Sequence, residues 1–402
     1  MKVLFVSVAF PPKRDPECLQ TARYVKYLNQ FEDVSIEVIT SAMPTLYMPY
    51  DAGLDQYRKG LYQVYEVKLQ EYKLLNSIIH RVKPGLLFPD SKRSFIKQAL
   101  AVNTDRPDII YSRSFPISST LAAYRLSLNH QVPWVMHMSD PWSAYPLHDF
   151  SPAIHRKHKA MEEMCLDRAT AITFTSKKTI ELYKSLYPQH VDKFHYQPNV
   201  YDDEDVQDLP LDFNRTIKVV YTGGMIGSRN PSYFFEAFKQ LSAEDQEKFE
   251  IQFVGQADRS SEAMINDFSE KVAAKVTYLG PKPYSEAIKF QNEAHLLLLV
   301  DNPLKPGEEA IFFPSKILDY FIAKRKIIAI TPQNSTTSEV LKDEHHVYHH
   351  NETQQLADFL KEATVQFEAQ NHSFFQTDAI PEFYSARYQA GLLYKLLSSH
   401  GK

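Results

Sequence analysis

The chain has 402 residues, too many for one ordinary domain and enough for two or three at roughly 150 residues each. Its 45 Lys and Arg against 49 Asp and Glu leave a formal charge of −4, which lacks the basic excess of a nucleic-acid binder, and 44% hydrophobic with 23% charged residues excludes wholesale disorder. The two cysteines cannot build a disulfide framework and favour a reducing compartment, and the apolar run Leu296 to Val300 falls far short of the roughly 20 residues of a membrane span.

In chain order, Val3 to Phe10 reads as a buried strand ended by Pro11-Pro12, with no cleavage site for a signal peptide in MKVLFVSVAFPP. Leu19 to Phe31 has helical spacing, and Val34 to Thr40 alternates as a strand does. Strand–helix pairs follow at Asp108 to Ser112 with Ile117 to Leu128, Trp134 to Met138 with Pro152 to Leu166, and Ala171 to Thr175 with Lys177 to Leu186. The segment YDDEDVQDLPLDFN after Asn199 carries acids but no bases and reads as a solvated linker.

The alternation then restarts. Strands are expected at Lys218 to Thr222, Glu250 to Val254, Val276 to Leu279, Leu296 to Val300 and Ile327 to Ile330. Between them lie helical patterns at Pro231 to Leu241, Ser261 to Ala273, Tyr284 to Asn292 and Ser315 to Ile322, and Phe383 to Leu397 closes the chain as a helix. Such alternation means parallel strands with crossover helices, hence two doubly wound α/β domains whose sheets present their carboxyl ends to a central cleft. The expected boundaries are residues 1–205, residues 206–380, and a terminal helix over 381–402 that crosses back to the first domain.

Two segments carry chemistry. In EEAIFFPSKILDYF, Pro314 marks a helix start followed by Ser315, Lys316 and, one turn on, Asp319; free N–H groups and an added cation suit a phosphate, and Asp319 suits ribose hydroxyls. A Ser-capped helix with Asp balancing its dipole is the plainer reading. In VVYTGGMIGSRNPSYFFEAF, Gly223, Gly224 and Gly227 form a strand-to-helix loop beside Arg229. The spacing is not the dinucleotide fingerprint, but close backbone approach to a phosphate with an Arg beside it is served.

With these residues in view, the second half resembles the nucleotide-sugar-binding domain of the retaining GT-B glycosyltransferases, glycosyltransferase family 4. Arg229-Asn230-Pro231 matches the family's second basic residue, while Met225 stands where the first would be. PSKILDYF is similar to the family's phosphate and ribose segment, with Asp319 in place of the ribose-binding Glu and Ile311 where the family's other Glu falls. Gly280-Pro281 occupies the loop that in the family lies near the base. In the first half, PPKRDPE replaces a glycine-containing loop, and HMSDPWS resembles the loop facing the donor sugar, with Asp140 and Trp142 matching.

The resemblance implies a glycosyltransferase that moves a sugar from a nucleotide-sugar donor to a glycan or lipid-linked acceptor with retention, in cell-surface polysaccharide or glycoconjugate synthesis. It implies His137 and Asp140 as catalytic residues, Gly223, Gly224, Arg229, Gly280, Pro281, Ser315, Lys316 and Asp319 as the donor site, no cofactor and no metal. The departures at Met225, Ile311 and the first loop raise two alternatives, a non-catalytic binder of sugar nucleotides or partners and a nucleotide-sugar epimerase.

Two further segments call for weighing. His345, His346, His349 and His350 read better as a solvated turn than as a metal site. Residues 71–100 hold Lys73, Arg81, Lys83, Lys92, Arg93 and Lys97 against Glu71 and Asp90, beside an apolar stripe including Leu74, Ile78 and Val82. That pattern fits a surface helix packed on its own domain. It also fits peripheral contact with an anionic membrane. The expected place is the cytoplasm, with peripheral attachment at the inner face of the plasma membrane.

Overall fold

The computed structural model describes residues 1–71, 87–144, 151–304, 308–377 and 380–401. It divides into two compact units, Met1–Asp203 with Phe383–Lys402, and Glu204–Glu382.

The first unit holds a seven-stranded parallel sheet: β1 (Lys2–Val6), β2 (Ser35–Ser41), β3 (Gln63–Val67), β4 (Ile109–Ser114), β5 (Trp134–Met138), β6 (Ala171–Phe174) and β7 (Phe194–Tyr196), in the order β3-β2-β1-β4-β5-β6-β7. The central strands are buried on both faces, as parallel strands covered by crossover helices must be. Local signals start the helices. Asp15 accepts from the Glu17 N–H at 2.9 Å ahead of the Pro16–Leu28 helix, whose first residue is proline. Ser176 does the same for Lys177–Leu186.

The acidic segment after Asn199 does not begin as a solvated linker. Asp202 is buried, ion-paired with Lys26 at 2.9 Å and accepting from the hydroxyls of Tyr27 and Tyr57. Asp203 accepts from Ser385 Oγ and from the Arg387 N–H at 3.0 Å, at the start of the C-terminal helix Ala386–His400. That helix buries Ala386, Ala390, Leu393 and Leu397, one face at helical spacing, against Tyr24, Val25 and Leu28 of the first unit.

The second unit holds a six-stranded parallel sheet: β8 (Ile217–Thr222), β9 (Phe249–Val254), β10 (Lys275–Gly280), β11 (Leu296–Val300), β12 (Lys326–Ile330) and β13 (His346–Tyr348), in the order β10-β9-β8-β11-β12-β13. In each sheet the first strand lies centrally and the chain winds outward on both sides of it, so each has a topological switch point, β1/β4 and β8/β11. Open α/β sheets bind ligands beyond the carboxyl ends of the strands at such points. Aromatic rings fill much of the second core; Phe235 stacks on Phe268 with centroids 3.8 Å apart, beside Phe234, Phe238 and Phe253. Among the described residues no helix is long and apolar enough to cross a membrane.

Candidate functional site

Beyond the carboxyl ends of β8, β9 and β10, on one side of the β8/β11 switch point, three loops meet. The chain leaves β8 through Gly223, and its N–H donates to the Val254 carbonyl at 2.8 Å; Gly255, leaving β9, donates to the Gly280 carbonyl at the end of β10 at 2.9 Å. All three glycines have positive φ, +121° at Gly223, +141° at Gly255 and +67° at Gly280, a backbone region that disfavours any side chain. The pairing of β8 with β9 continues past the strands, since Met225 N–H donates to the Gln256 carbonyl at 2.8 Å. Asp258 fixes the far end of the loop, accepting from the Gly227 N–H at 2.7 Å while capping the Arg259–Lys271 helix.

Met225 is thereby fully buried in the second core. The position that is basic in the resembled family serves packing in this chain. Ile311 is buried as well, so no carboxylate stands there either.

Two cations converge on the glycine loop. Lys316 opens the Lys316–Ile322 helix and passes under Gly223, where an added Cβ would lie 3.0 Å from its Nζ. The ammonium sits over the Tyr221 ring, 4.1 Å from the centroid, and donates to the Tyr221 hydroxyl at 2.9 Å. Burial, and then the Arg229 charge nearby, lower its pKa to about 7. Arg229 has a buried Nε without a hydrogen-bond partner. Neither cation is ion-paired among the described residues. Asp301, at the end of β11, pulls the Lys316 pKa the other way, but its Oδ2 already accepts from Thr331 and Thr337 hydroxyls at 2.7 and 2.6 Å. Two close cations facing the single Asp301 carboxylate leave a net positive charge, which suits an anion.

The other expected donor residues lie around this centre. Gly224 offers its carbonyl to the Tyr221 hydroxyl at 2.7 Å. Ser315 precedes the Lys316–Ile322 helix without capping it through its side chain. Asp319, one turn inward, is half-buried and accepts from the Tyr284 hydroxyl at 3.0 Å. Pro281 is exposed beside Gly280. Gly255, Tyr221 and Tyr284 were not expected from the sequence.

In the first unit His137 and Asp140 have different surroundings. His137 is completely buried in β5, its Nδ1 2.9 Å from the Thr173 hydroxyl and its Nε2 3.3 Å from that of Thr175. Burial holds its pKa well below the ordinary value. The imidazole is thus enclosed within the sheet and held between two hydroxyls. Asp140, just beyond β5, is half-buried with its carboxyl pushed up to about 6 by burial alone.

Nearby, Ser139 Oγ and Arg113 Nε donate to the two oxygens of Glu17 at 2.6 and 2.7 Å. Burial pushes Glu17 up to about 7 against the pull of Arg113, whose two terminal nitrogens are buried without hydrogen-bond partners. A charged residue inside an otherwise buried strand, Arg113 in IIYSRS, was the sequence signal for this cluster.

The four histidines diverge. His345 Nδ1 accepts from the Ile327 N–H, His346 packs on Phe359, and His349 and His350 approach the carbonyls of Thr331 and Asp301. They are half-buried members of β13 and its flanks rather than a solvated turn. Among the described residues no group of three or more His, Cys, Asp or Glu is placed to hold a metal ion.

No protein-family model matches the chain, and no curated protein sequence matches it. Solved structures do share its fold. HepE of Anabaena, crystallised in complex with UDP-glucose, is 14% identical over 99% of this chain and 100% of its own, with a TM-score of 0.65. Sucrose-phosphate synthase of Thermosynechococcus elongatus is 11% identical over 99% of each chain, at 0.66. A glycosyltransferase of Rickettsia africae is 12% identical over 99% of this chain and 98% of its own, at 0.62. The two parallel α/β sheets of this chain therefore have the architecture of GT-B glycosyltransferase structures.

The shifted lysine gives a testable pH dependence. A diphosphate placed here would bind the protonated ammonium, so its affinity would be fullest below about pH 7 and would fall as the pH rises through the free-protein pKa of about 7. Above pH 7 a phosphate is already fully ionised, its second pKa being about 6, and the ligand adds no opposing trend. UDP affinity by calorimetry should decline severalfold from pH 7 to 9, and Lys316→Arg should flatten the profile. A flat wild-type profile would detach Lys316 from the ligand.

Proposed function

We propose that the chain is a retaining glycosyltransferase that takes its sugar from a nucleotide-sugar donor bound by the second unit and passes it to a glycan or lipid-linked acceptor, in the synthesis of a cell-surface polysaccharide or glycoconjugate. The observation that carries this reading is the proximity of Lys316 and Arg229, neither in an ion pair among the described residues, beside the positive-φ Gly223 at the β8/β11 switch point. The complexes of HepE with UDP and UDP-glucose support a nucleotide-sugar donor.

In this reading Arg229 and Lys316 hold the diphosphate and stabilise its charge as the sugar leaves, the electrostatic contribution that dominates many such reactions. Ser315, Gly223 and Gly224 bring backbone and hydroxyl groups close to the phosphates, Asp319 takes ribose hydroxyls, and Gly280-Pro281 borders the base. Asp140 is the unit-1 group assigned to the acceptor hydroxyl, ionised for the most part at neutral pH. No cofactor and no metal are assigned. The basic residues of 71–100 are assigned to peripheral contact with the cytoplasmic face of a membrane; of these, Lys73, Arg81 and Lys83 lie outside the described residues.

The buried Met225 and Ile311 favour one other reading, a sugar-nucleotide binder without turnover. Incubation with a panel of nucleotide sugars, without acceptor, separates the readings: slow release of free sugar and nucleotide is expected for the transferase, unchanged bound donor for the binder, and an isomerised sugar for an epimerase. Asp319→Asn, which keeps size and one acceptor, should lower donor affinity by roughly tenfold, near the strength of a charged hydrogen bond, with little change in melting temperature. Unaltered affinity would remove Asp319 from the ribose.

A further inference from the structure

A single acid faces the two cations, and it comes from the other side of the switch point. Asp301 follows β11, and its N–H donates to the Ile330 carbonyl at 2.9 Å, so the strand end is still paired with β12. The side chain is half-buried. Hydroxyls, not a cation, set its direction. Oδ2 accepts from Thr331 at 2.7 Å and from Thr337 at 2.6 Å. Thr331 Oγ1 lies 2.7 Å from Ser335 Oγ, the cap of the Thr336–Leu341 helix. With the Thr331 proton given to Asp301, Ser335 is the donor in that bond. All three hydroxyl residues are buried, and they fix the carboxyl from the end of β12 and from the helix after it. Among the described residues no hydrogen bond is directed at Oδ1, and Asp301 is in no ion pair.

That carboxyl lies within electrostatic reach of the anion site. Burial and then Arg229 lower the Lys316 pKa, and Asp301 opposes them. Burial raises the pKa of the Tyr221 hydroxyl, which accepts from Lys316; Tyr320 and Asp301 add to that shift and Arg229 opposes it. A direct bond also joins the two sides, from Ser228 Oγ, next to Arg229 in the glycine loop, to Asn302 Oδ1 at 3.2 Å. A carboxyl repels the diphosphate that the cations attract. The group suited to its side of the phosphates is therefore neutral and rich in hydroxyl donors, because hydrogen bonds to an ionised acceptor are roughly twice as strong as neutral ones. The sugar of a nucleotide sugar is such a group, and its bond to the diphosphate keeps it close.

We propose that Asp301 accepts hydrogen bonds from hydroxyls of the donor's sugar and so distinguishes a sugar nucleotide from the bare nucleotide. The assignment rests on the nucleotide-sugar reading above and adds to it the residue that reads the sugar. Thr331 and Thr337 are positioning residues that act through Asp301, fixing one carboxyl oxygen so that the other is presented in one orientation.

Calorimetry on the full chain compares UDP and GDP with UDP-glucose, UDP-N-acetylglucosamine and GDP-mannose. Asp301→Asn keeps an acceptor for the threonines and loses the charge. In this variant the best-bound sugar nucleotide should weaken roughly tenfold more than its own nucleoside diphosphate, near the strength of a charged hydrogen bond. Thr337→Val, close in size, should give a smaller loss of the same kind, and it carries the test if Asp301→Asn fails to fold. Any change at Lys316 or Arg229 falls on the shared diphosphate and moves both ligands together. Parallel changes for the nucleotide and the sugar nucleotide in the folded variants therefore make Asp301 a counter-charge of the cations, and they overturn the sugar contact while leaving the donor reading intact. Absence of binding by every one of these probes removes the donor reading and the contact with it.

Discussion

Arg229→Ala should cost about 1.5–3 kcal/mol of nucleotide affinity, the range for hydrogen bonds to charged groups, while leaving the protein folded. The side chain has a buried Nε with no partner and makes no ion pair among the described residues, so its removal breaks nothing in the free protein. It should do the opposite. Arg229 helps to hold the Lys316 pKa down to about 7, and without it that pKa rises, so the fall of UDP affinity with pH shifts to higher pH in the variant. The two readouts separate a ligand-binding role from a merely structural one: a structural loss would lower the melting temperature and leave the pH profile where it was. Arg229→Lys restores the charge but not the planar fork and should recover part of the affinity. Undiminished UDP binding in Arg229→Ala by calorimetry would remove the residue from the site.

Most of this architecture could be read in the sequence because its signals are local. Apolar runs bounded by turns marked the buried strands of both sheets, and a helix start such as Asn230-Pro231 is written in adjacent residues. The two strands of the first sheet that escaped notice, Gln63–Val67 and Phe194–Tyr196, are at sheet edges and largely half-exposed or exposed, so neither a continuous apolar run nor a clean alternation betrays them.

What the sequence hid depends on distant partners. Nothing local tells that His137 is matched by Thr173 and Thr175, 36 and 38 residues later on β6 and its end, or that Met225 turns into the core because its loop keeps pairing with residues 256–258. Asp202 looked solvated because the tyrosines that bind it are about 145 and 175 residues earlier. Gly223 was legible as part of a glycine cluster; Gly255, single in VGQAD, was not, although the fold leans on it harder.

Gly255→Ala should be among the most damaging single substitutions in the second unit. The residue has φ +141°, and a Cβ there would lie 2.0 Å from the carbonyl oxygen and 2.6 Å from the carbonyl carbon of Gly223. Both obstacles are backbone, so no side chain can swing aside. Neither strand end is free to retreat, because Gly255 N–H is bonded to Gly280 and Gly223 N–H to Val254. Relief requires breaking the crossing, with a loss on the order of 3–5 kcal/mol, the range of strained backbone and core lesions. Since Gly223 also covers the Lys316 ammonium, whatever fraction stays folded should bind UDP poorly. Gly224→Ala is the control: its Cβ would meet nothing within 4 Å, and its effect on stability should stay within about 0.5 kcal/mol. Urea denaturation of the two variants beside the wild type decides the matter, and equal stability of Gly255→Ala and Gly224→Ala would mean that the loops leaving β8 and β9 do not cross as described.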